Sequence, residues 1–381
     1  MPGTIPIVLA IDCEPDLRSG PLDDPSPWNG LEQMIATVDT LRDRLARATG
    51  ADARLAWGVR MDPQIATWYG SPTWGVEHYG GFFASAARAG DAIGLHVHAF
   101  RWEHGDGRWV ADHASEEWIQ VCANTGFDAY RDAFGTAPEF HLFGSFYMST
   151  PLMNTVRDRG ARYDLSLWPG EGRLRPGMHV GVVHLGTCPD HEWIPLTPYR
   201  PSPRDFRRPA NPGEAPEGFL AVPLTAGRFV PATIRSLLPD RSAVRSALWS
   251  RATRHAGTVK RTFTHRRPRP PYSPLEMWRD WRSPADFWDA AFAAADALAS
   301  PYLAFKIRSD TPLDARARRL FDGIVAHLDH DARARRLRFV TPDEAFGHLV
   351  PTVHPVDGDP GETRGRRPRA STTRPARGED A

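Results

Sequence analysis

Short runs of strand character alternate along this chain with stretches of helical periodicity. That alternation constrains the fold more than any other feature, because it is the mark of a mostly parallel sheet covered by helices. Residues 5–11 (IPIVLAI) read as the first strand. Leu31, Met34, Ile35, Val38, Leu41 and Leu45 then share one helical face, with Asn29 at the N-cap position and Gly50 just past the end. Residues 54–59 read as a second strand, 79–88 as a helix stopped by Gly90, and 92–98 as a third strand. Ser115 caps a helix over 116–124, and Thr150-Pro151 pairs a cap with a first-turn proline to open another. Further strands are expected at 163–167, 181–185, 219–222, 302–307 and 337–340. Helices are expected from Ser283-Pro284 and over 313–328, and Thr341-Pro342 is one more cap-plus-proline start.

The 381 residues carry 47 Lys+Arg against 46 Asp+Glu, a formal net charge of +1, which argues against a generally basic nucleic-acid binder. The average hides an uneven distribution. Residues 241–270 hold nine Arg/Lys and no acid, and residues 351–381 hold six Arg against five acids, which leaves 1 − 9 − 1 = −9 for the rest. The Pro/Gly/Arg-rich stretch 351–381 has no aromatic residue and is expected to be a disordered tail. Three widely spaced cysteines (Cys13, Cys122, Cys188) make no CxxC pair and fit a reducing compartment, so a cytoplasmic location is expected. No apolar run approaches the ~20 residues of a membrane span.

Two clusters sit at the ends of expected strands, where parallel-sheet enzymes place their chemistry. Ile11-Asp12-Cys13-Glu14 closes the first, and Gly94-Leu95-His96-Val97-His98 closes the third. Alternate residues of an extended chain share a face, so Asp12 points with Glu14 and His96 with His98. Two imidazoles and a carboxylate with one position left for water make a catalytic zinc site. Taken singly, an acidic strand end is a solvated turn and paired histidines are core residues; the two together, 84 positions apart, favour a metal.

On these residues the chain resembles the polysaccharide deacetylases with NodB homology (carbohydrate esterase family four), over roughly residues 5–350. The resemblance implies a distorted (β/α) barrel, one domain over 1–350 with the basic insertion at 241–270. It implies a hydrolase that removes N- or O-acetyl groups from a polysaccharide or a lipid- or nucleotide-linked sugar, using a divalent metal of the zinc type. It assigns Asp12 as general base and Glu14, His96 and His98 as metal ligands, His98 standing in because the usual fourth-on position is Phe100. The motif that normally starts with a base-orienting arginine here reads Phe140-His141-Leu142-Phe143-Gly144. The strand that normally ends with an acid histidine reads Tyr302 to Asp310 with Arg308 in that place. Arginine stays protonated, so Arg308 is assigned to an oxyanion or to an anionic substrate group, and proton donation passes to His141, Asp310, a lysine or solvent.

Other charged and aromatic residues complete the expected site. Arg60 and Asp62 end the second strand and either line the same mouth or pair with each other. Arg101 follows the paired histidines, and Tyr199 and Arg200 lie on a long loop that either stacks on a sugar or packs on itself. The basic insertion is expected to meet a phosphate group, a membrane face, or only solvent. Two other readings stay open: a deacetylase-fold protein that binds or scaffolds carbohydrate without turnover, and a hydrolase of a non-sugar amide.

Overall fold

Residues Ile5–Cys13 carry isoleucine, valine or leucine at most positions and are buried almost throughout, as a central strand of a parallel sheet must be. The computed structural model describes residues 3–179, 181–228, 272–277, 281 and 283–350. The basic insertion at 241–270 and the tail at 351–381 fall outside them, together with the partners expected there. Residues Met1–Pro351 form one compact unit.

The main sheet has eight strands: β1 (Ile5–Cys13), β2 (Ala56–Arg60), β3 (Ala92–Val97), β4 (Phe140–Phe143), β5 (Tyr163–Asp164), β6 (Leu220–Ala221), β7 (Leu303–Arg308) and β8 (Leu337–Phe339). Their order is β6-β5-β4-β3-β2-β1-β7, every pairing is parallel, and β8 lies beside the start of β1. Past β6 the chain crosses to the other edge: the Thr225 N–H donates to Ala304 O (2.9 Å) and the Ala304 N–H to Thr225 Oγ1 (2.8 Å). The sheet thus curves into a distorted (β/α) barrel.

Side-chain alternation divides this barrel into two layers. Ile7, Leu9, Ile11, Trp57, Val59, Leu95 and Phe305 face outward, into one core with Leu31, Met34 and Val38 of the helix Asn29–Thr49. Val8, Ala10, Ala56, Ala92, Phe140, Leu142 and Ala304 fill the interior. Small residues there make room for large ones. A Cβ on Gly58 would lie 2.7 Å from Leu142, and one on Gly94 2.6 Å from the Phe140 ring. The same alternation aims Asp12, Glu14, Arg60, His96, His98, Lys306 and Arg308 at the mouth of the barrel.

Several local expectations need correction. The first helix begins at Asn29, which is not its cap; the Asp16 carboxylate accepts from Asn29 N (3.1 Å) and Gly30 N (2.9 Å) instead. Ser149, not Thr150, caps the next proline-started helix, accepting from Leu152 N. The strand expected at 181–185 is real as Val182–Gly186 but leaves the barrel. It pairs in parallel with Arg108–His113, in a four-stranded side sheet completed by Phe100–Glu103 and Gly177–His179.

Candidate metal centre

β1 and β3 end side by side around β2, and their last inward side chains converge. His98 Nε2 lies 3.3 Å from Glu14 Oε2, and His96 Nε2 lies 4.0 Å from that oxygen and 3.8 Å from Asp12 Oδ2. One ligand atom each from Glu14, His96 and His98 falls within 4.8 Å of the others, and all three residues are buried. Burial pushes both imidazoles below their usual range, His98 furthest, so they are neutral near pH 7, the form that ligates. His96 Nδ1 faces Leu142 O at 3.2 Å, a contact that makes Nδ1 the protonated nitrogen and leaves the lone pair on Nε2. Among the described residues, His96 Nε2, His98 Nε2 and Asp12 Oδ1 are buried without a hydrogen-bond partner. Such atoms are costly to leave bare, and a divalent cation held with Glu14 satisfies both imidazole nitrogens. The residues fit a metal of the zinc type.

Four cations surround these groups. Arg308 Nε donates to Glu14 Oε1 at 2.7 Å, while Arg18 Nη2 and Arg60 Nη1 each approach the same carboxylate to 3.5 Å. Burial alone would raise the Glu14 carboxyl, but Arg308, Arg18 and His98 overcome it and hold the group well below the usual range. Lys306 Nζ pairs with Asp12 Oδ2 at 3.1 Å and lies over the Trp168 ring, 5.3 Å from its centroid. Arg308 also pairs with Asp310 (2.8 Å). Asp310 is pushed up to about 6 by burial, against the pull of Arg308. A cleft of about 380 Å³ opens over the cluster, lined by Asp12, Arg18, His98, Trp168, Lys306, Arg308 and Asp310 among others.

The residues chosen from the sequence divide cleanly. Asp12, His98, Arg308 and Asp310 line this cleft, and the buried Glu14 and His96 adjoin His98 and Asp12. Arg308 grips Glu14 rather than pointing at open space. Arg60 and Asp62 are adjacent but fully buried and do not line the cleft. Arg60 Nε pairs with Asp62 at 2.8 Å, and Asp62 caps the helix Pro63–Tyr69 and accepts from His98 N (3.0 Å). His141 lies on the outer face of β4, since Phe140 and Leu142 face inward. It stacks on Phe127 and holds Asp164 through Nδ1 (2.8 Å), so it does not serve as the proton donor. Arg101 is on the side sheet, paired with Asp112 (3.0 Å), and does not line the cleft. Tyr199 is 6% exposed with its hydroxyl on Phe206 O, and Arg200 pairs with Glu217, so the loop packs on itself rather than presenting these residues to a sugar. Sequence reasoning missed Arg18, which a loop after β1 returns to Glu14, and Trp168. The only signal for Lys306 was its period-2 spacing from Arg308.

The chain matches no family model and no curated protein. It is similar to solved structures. A Parabacteroides distasonis protein assigned as a glycoside hydrolase/deacetylase superposes with a TM-score of 0.52 at 13% identity, over 91% of this chain and 71% of that one. A Pseudomonas aeruginosa protein assigned as a polysaccharide deacetylase gives 0.43 at 10% identity, over 90% of each chain. A Mycobacterium smegmatis protein of the same assignment gives 0.40 at 12%, over 91% of this chain and 90% of that one. The first likeness establishes the fold: a divergent (β/α) barrel of the glycoside hydrolase/deacetylase type.

Proposed function

We propose that this chain is a metal-dependent hydrolase that removes an acetyl group from a carbohydrate. The observation that carries the reading is one convergence at the barrel mouth. Two bare imidazole nitrogens, a carboxylate gripped by arginine, and a second carboxylate with one oxygen paired and the other free all meet there. Glu14, His96 and His98 would hold a divalent ion, which when bound supplies Lewis acidity to the acetyl carbonyl and acidifies water.

This chain's own residues account for the rest. Asp12 takes the proton of the attacking water on Oδ1, because Lys306 occupies Oδ2. Lys306 therefore positions the base, the part that the sequence had left without an arginine. Arg308 fixes Glu14 Oε1, which turns Oε2 toward the two imidazoles. When the water oxygen bonds to the acetyl carbon and the carbon–nitrogen bond breaks, the leaving nitrogen needs a proton. Lys306 and Asp310, both lining the cleft, are the groups placed to supply it. A cleft of about 380 Å³ lies within the usual range for small-ligand sites, enough for a sugar unit carrying its acetyl group.

The test is acetate release from N-acetylglucosamine oligomers by zinc-loaded protein, wild type against Asp12→Asn. The expected result is release by wild type and a loss of about 10²–10⁴-fold in the variant. If neither releases acetate while both bind the sugar, the chain is a carbohydrate-binding module. Release from small amides but not from glycans makes it a hydrolase of a non-sugar amide.

A further inference from the structure

We propose a second metal site, built from His113, His184 and Cys188 in the side sheet, that takes a borderline or soft cation of the zinc class through two imidazoles and one thiolate. It shares no ligand with Glu14, His96 and His98 and does not depend on the hydrolase reading.

The register of the side sheet assembles it. Ala111 pairs with His184 and His113 with Gly186, so His113 and His184 fall on one face, one step apart along neighbouring strands. Gly186 then turns the chain back with φ +73°, and a Cβ there would lie 2.3 Å from Ala114 N, so only glycine allows the return. Two residues later, Cys188 reaches His113 with its sulfur 3.3 Å from Nδ1, its backbone anchored by Cys188 N to Leu174 O. The geometry is close to that of an ion site. Zn–N of about 2.0 Å and Zn–S of about 2.3 Å at a tetrahedral angle imply an N···S separation of roughly 3.5 Å. One ligand atom from each residue already lies within 4.8 Å of the other two, so side-chain rotation closes the set.

The chemistry of the pocket points the same way. His113 and His184 are each 6% exposed, and among the described residues His113 Nε2 and His184 Nδ1 have no hydrogen-bond partner. His113 Nδ1 already faces the thiol, and the bare nitrogen of the neighbouring buried His184 is costly to leave without a partner. His113 is held by stacking on Tyr147 (4.9 Å between centroids), and the half-exposed His179 ring stands edge-on to His184 at 5.1 Å. Thiolate with imidazole selects Zn²⁺ or Co²⁺ over Mg²⁺ or Ca²⁺. Binding replaces the S–H bond of Cys188 with a metal–sulfur bond and releases that proton to solvent. The thiol presently contacts Ser145 O at 3.6 Å, and Ser145 Oγ stands 3.5 Å from His98 Nδ1. Ser145 and Phe146 adopt left-handed φ of +58° and +55° and line the cleft.

The experiment is a Co²⁺ titration of the chelator-stripped full chain, read by near-ultraviolet absorption. The expected result is a thiolate-to-cobalt charge-transfer band that saturates by two equivalents per chain, since Glu14, His96 and His98 take the other ion. The band should persist in a His96→Ala/His98→Ala variant, weaken in His184→Gln and vanish in Cys188→Ser, with circular dichroism reporting the fold of each. Absence of the band from the wild type overturns the proposal without recourse to any variant. So does an undiminished band in Cys188→Ser, which would place the cobalt on Cys13 or Cys122.

Discussion

Gly144 is where the candidate metal centre is most exposed to a single methyl group. A Cβ at this position would stand 2.0 Å from His98 Cε1, 2.2 Å from Nε2 and 2.3 Å from Nδ1, whereas ordinary contact begins near 3.4 Å. In Gly144→Ala the imidazole must therefore retreat by 3.4 − 2.0, about 1.4 Å, because the Gly144 backbone is held by its N–H on Val97 O (2.8 Å). Metal–ligand distances tolerate only about ±0.2 Å, so His98 cannot follow that path and still ligate. Zinc affinity should fall about 10–100-fold, and acetate release with it. The assay is zinc competition against a chromophoric chelator, with circular dichroism to verify folding. Gly80→Ala, where a Cβ would meet nothing within 4 Å, is the control expected to leave affinity unchanged. A Gly144→Ala protein that binds zinc like the wild type would refute the argument, since His98 would then not be a ligand.

Three further outcomes follow from the same contacts. Glu14→Gln leaves Arg308, Arg18 and the fully buried Arg60 without their shared counter-charge, and should cost the metal-free protein about 3–5 kcal/mol in denaturant unfolding. An unchanged midpoint would mean that the arginines do not depend on Glu14. Lys306→Met should lower kcat about 10–100-fold with KM little changed, and Lys306→Arg should restore part of it. Burial lowers His191 to about 4, so the unfolded chain binds the extra proton between about pH 4 and the unperturbed 6.5. Its stabilising contribution is complete above that window and is lost as pH falls through it. The loss from this residue should be about 2 kcal/mol between about pH 7.5 and about pH 5, and His191→Asn should flatten the dependence by that amount.

What could be read from the sequence was whatever depends on alternation along one strand. Asp12 with Glu14, and His96 with His98, needed only the period-2 rule and the knowledge that catalytic groups gather at strand ends. His141 was misassigned because Phe-His-Leu-Phe is apolar on both sides. Only the barrel packing, with Phe140 against Gly94 and Leu142 against Gly58, shows which phase points inward. Arg18 and Trp168 reach the cleft on loops whose return path has no local periodicity. Tyr199 looked like a rim aromatic because the bond that buries it, to Phe206 O, belongs to a loop closed by the short pairing of Pro201–Ser202 with Asp205–Pro209. Lys306 lies two residues before Arg308, but its pairing with Asp12 depends on the β1–β7 register, in which Ala10 lies opposite Lys306 and Asp12 opposite Arg308. The side-sheet cluster combines two strands that no local pattern connects.

The central claim is that Glu14, His96 and His98 together bind a divalent ion beside Asp12. The most direct measurement is a crystal structure of the zinc-soaked protein with anomalous scattering recorded on both sides of the zinc edge. The account predicts an anomalous peak at ligand distance, about 2.0–2.2 Å, from His96 Nε2, His98 Nε2 and a Glu14 carboxylate oxygen. Zinc density only at His113, His184 and Cys188, or none at the barrel mouth at saturating zinc, would contradict it.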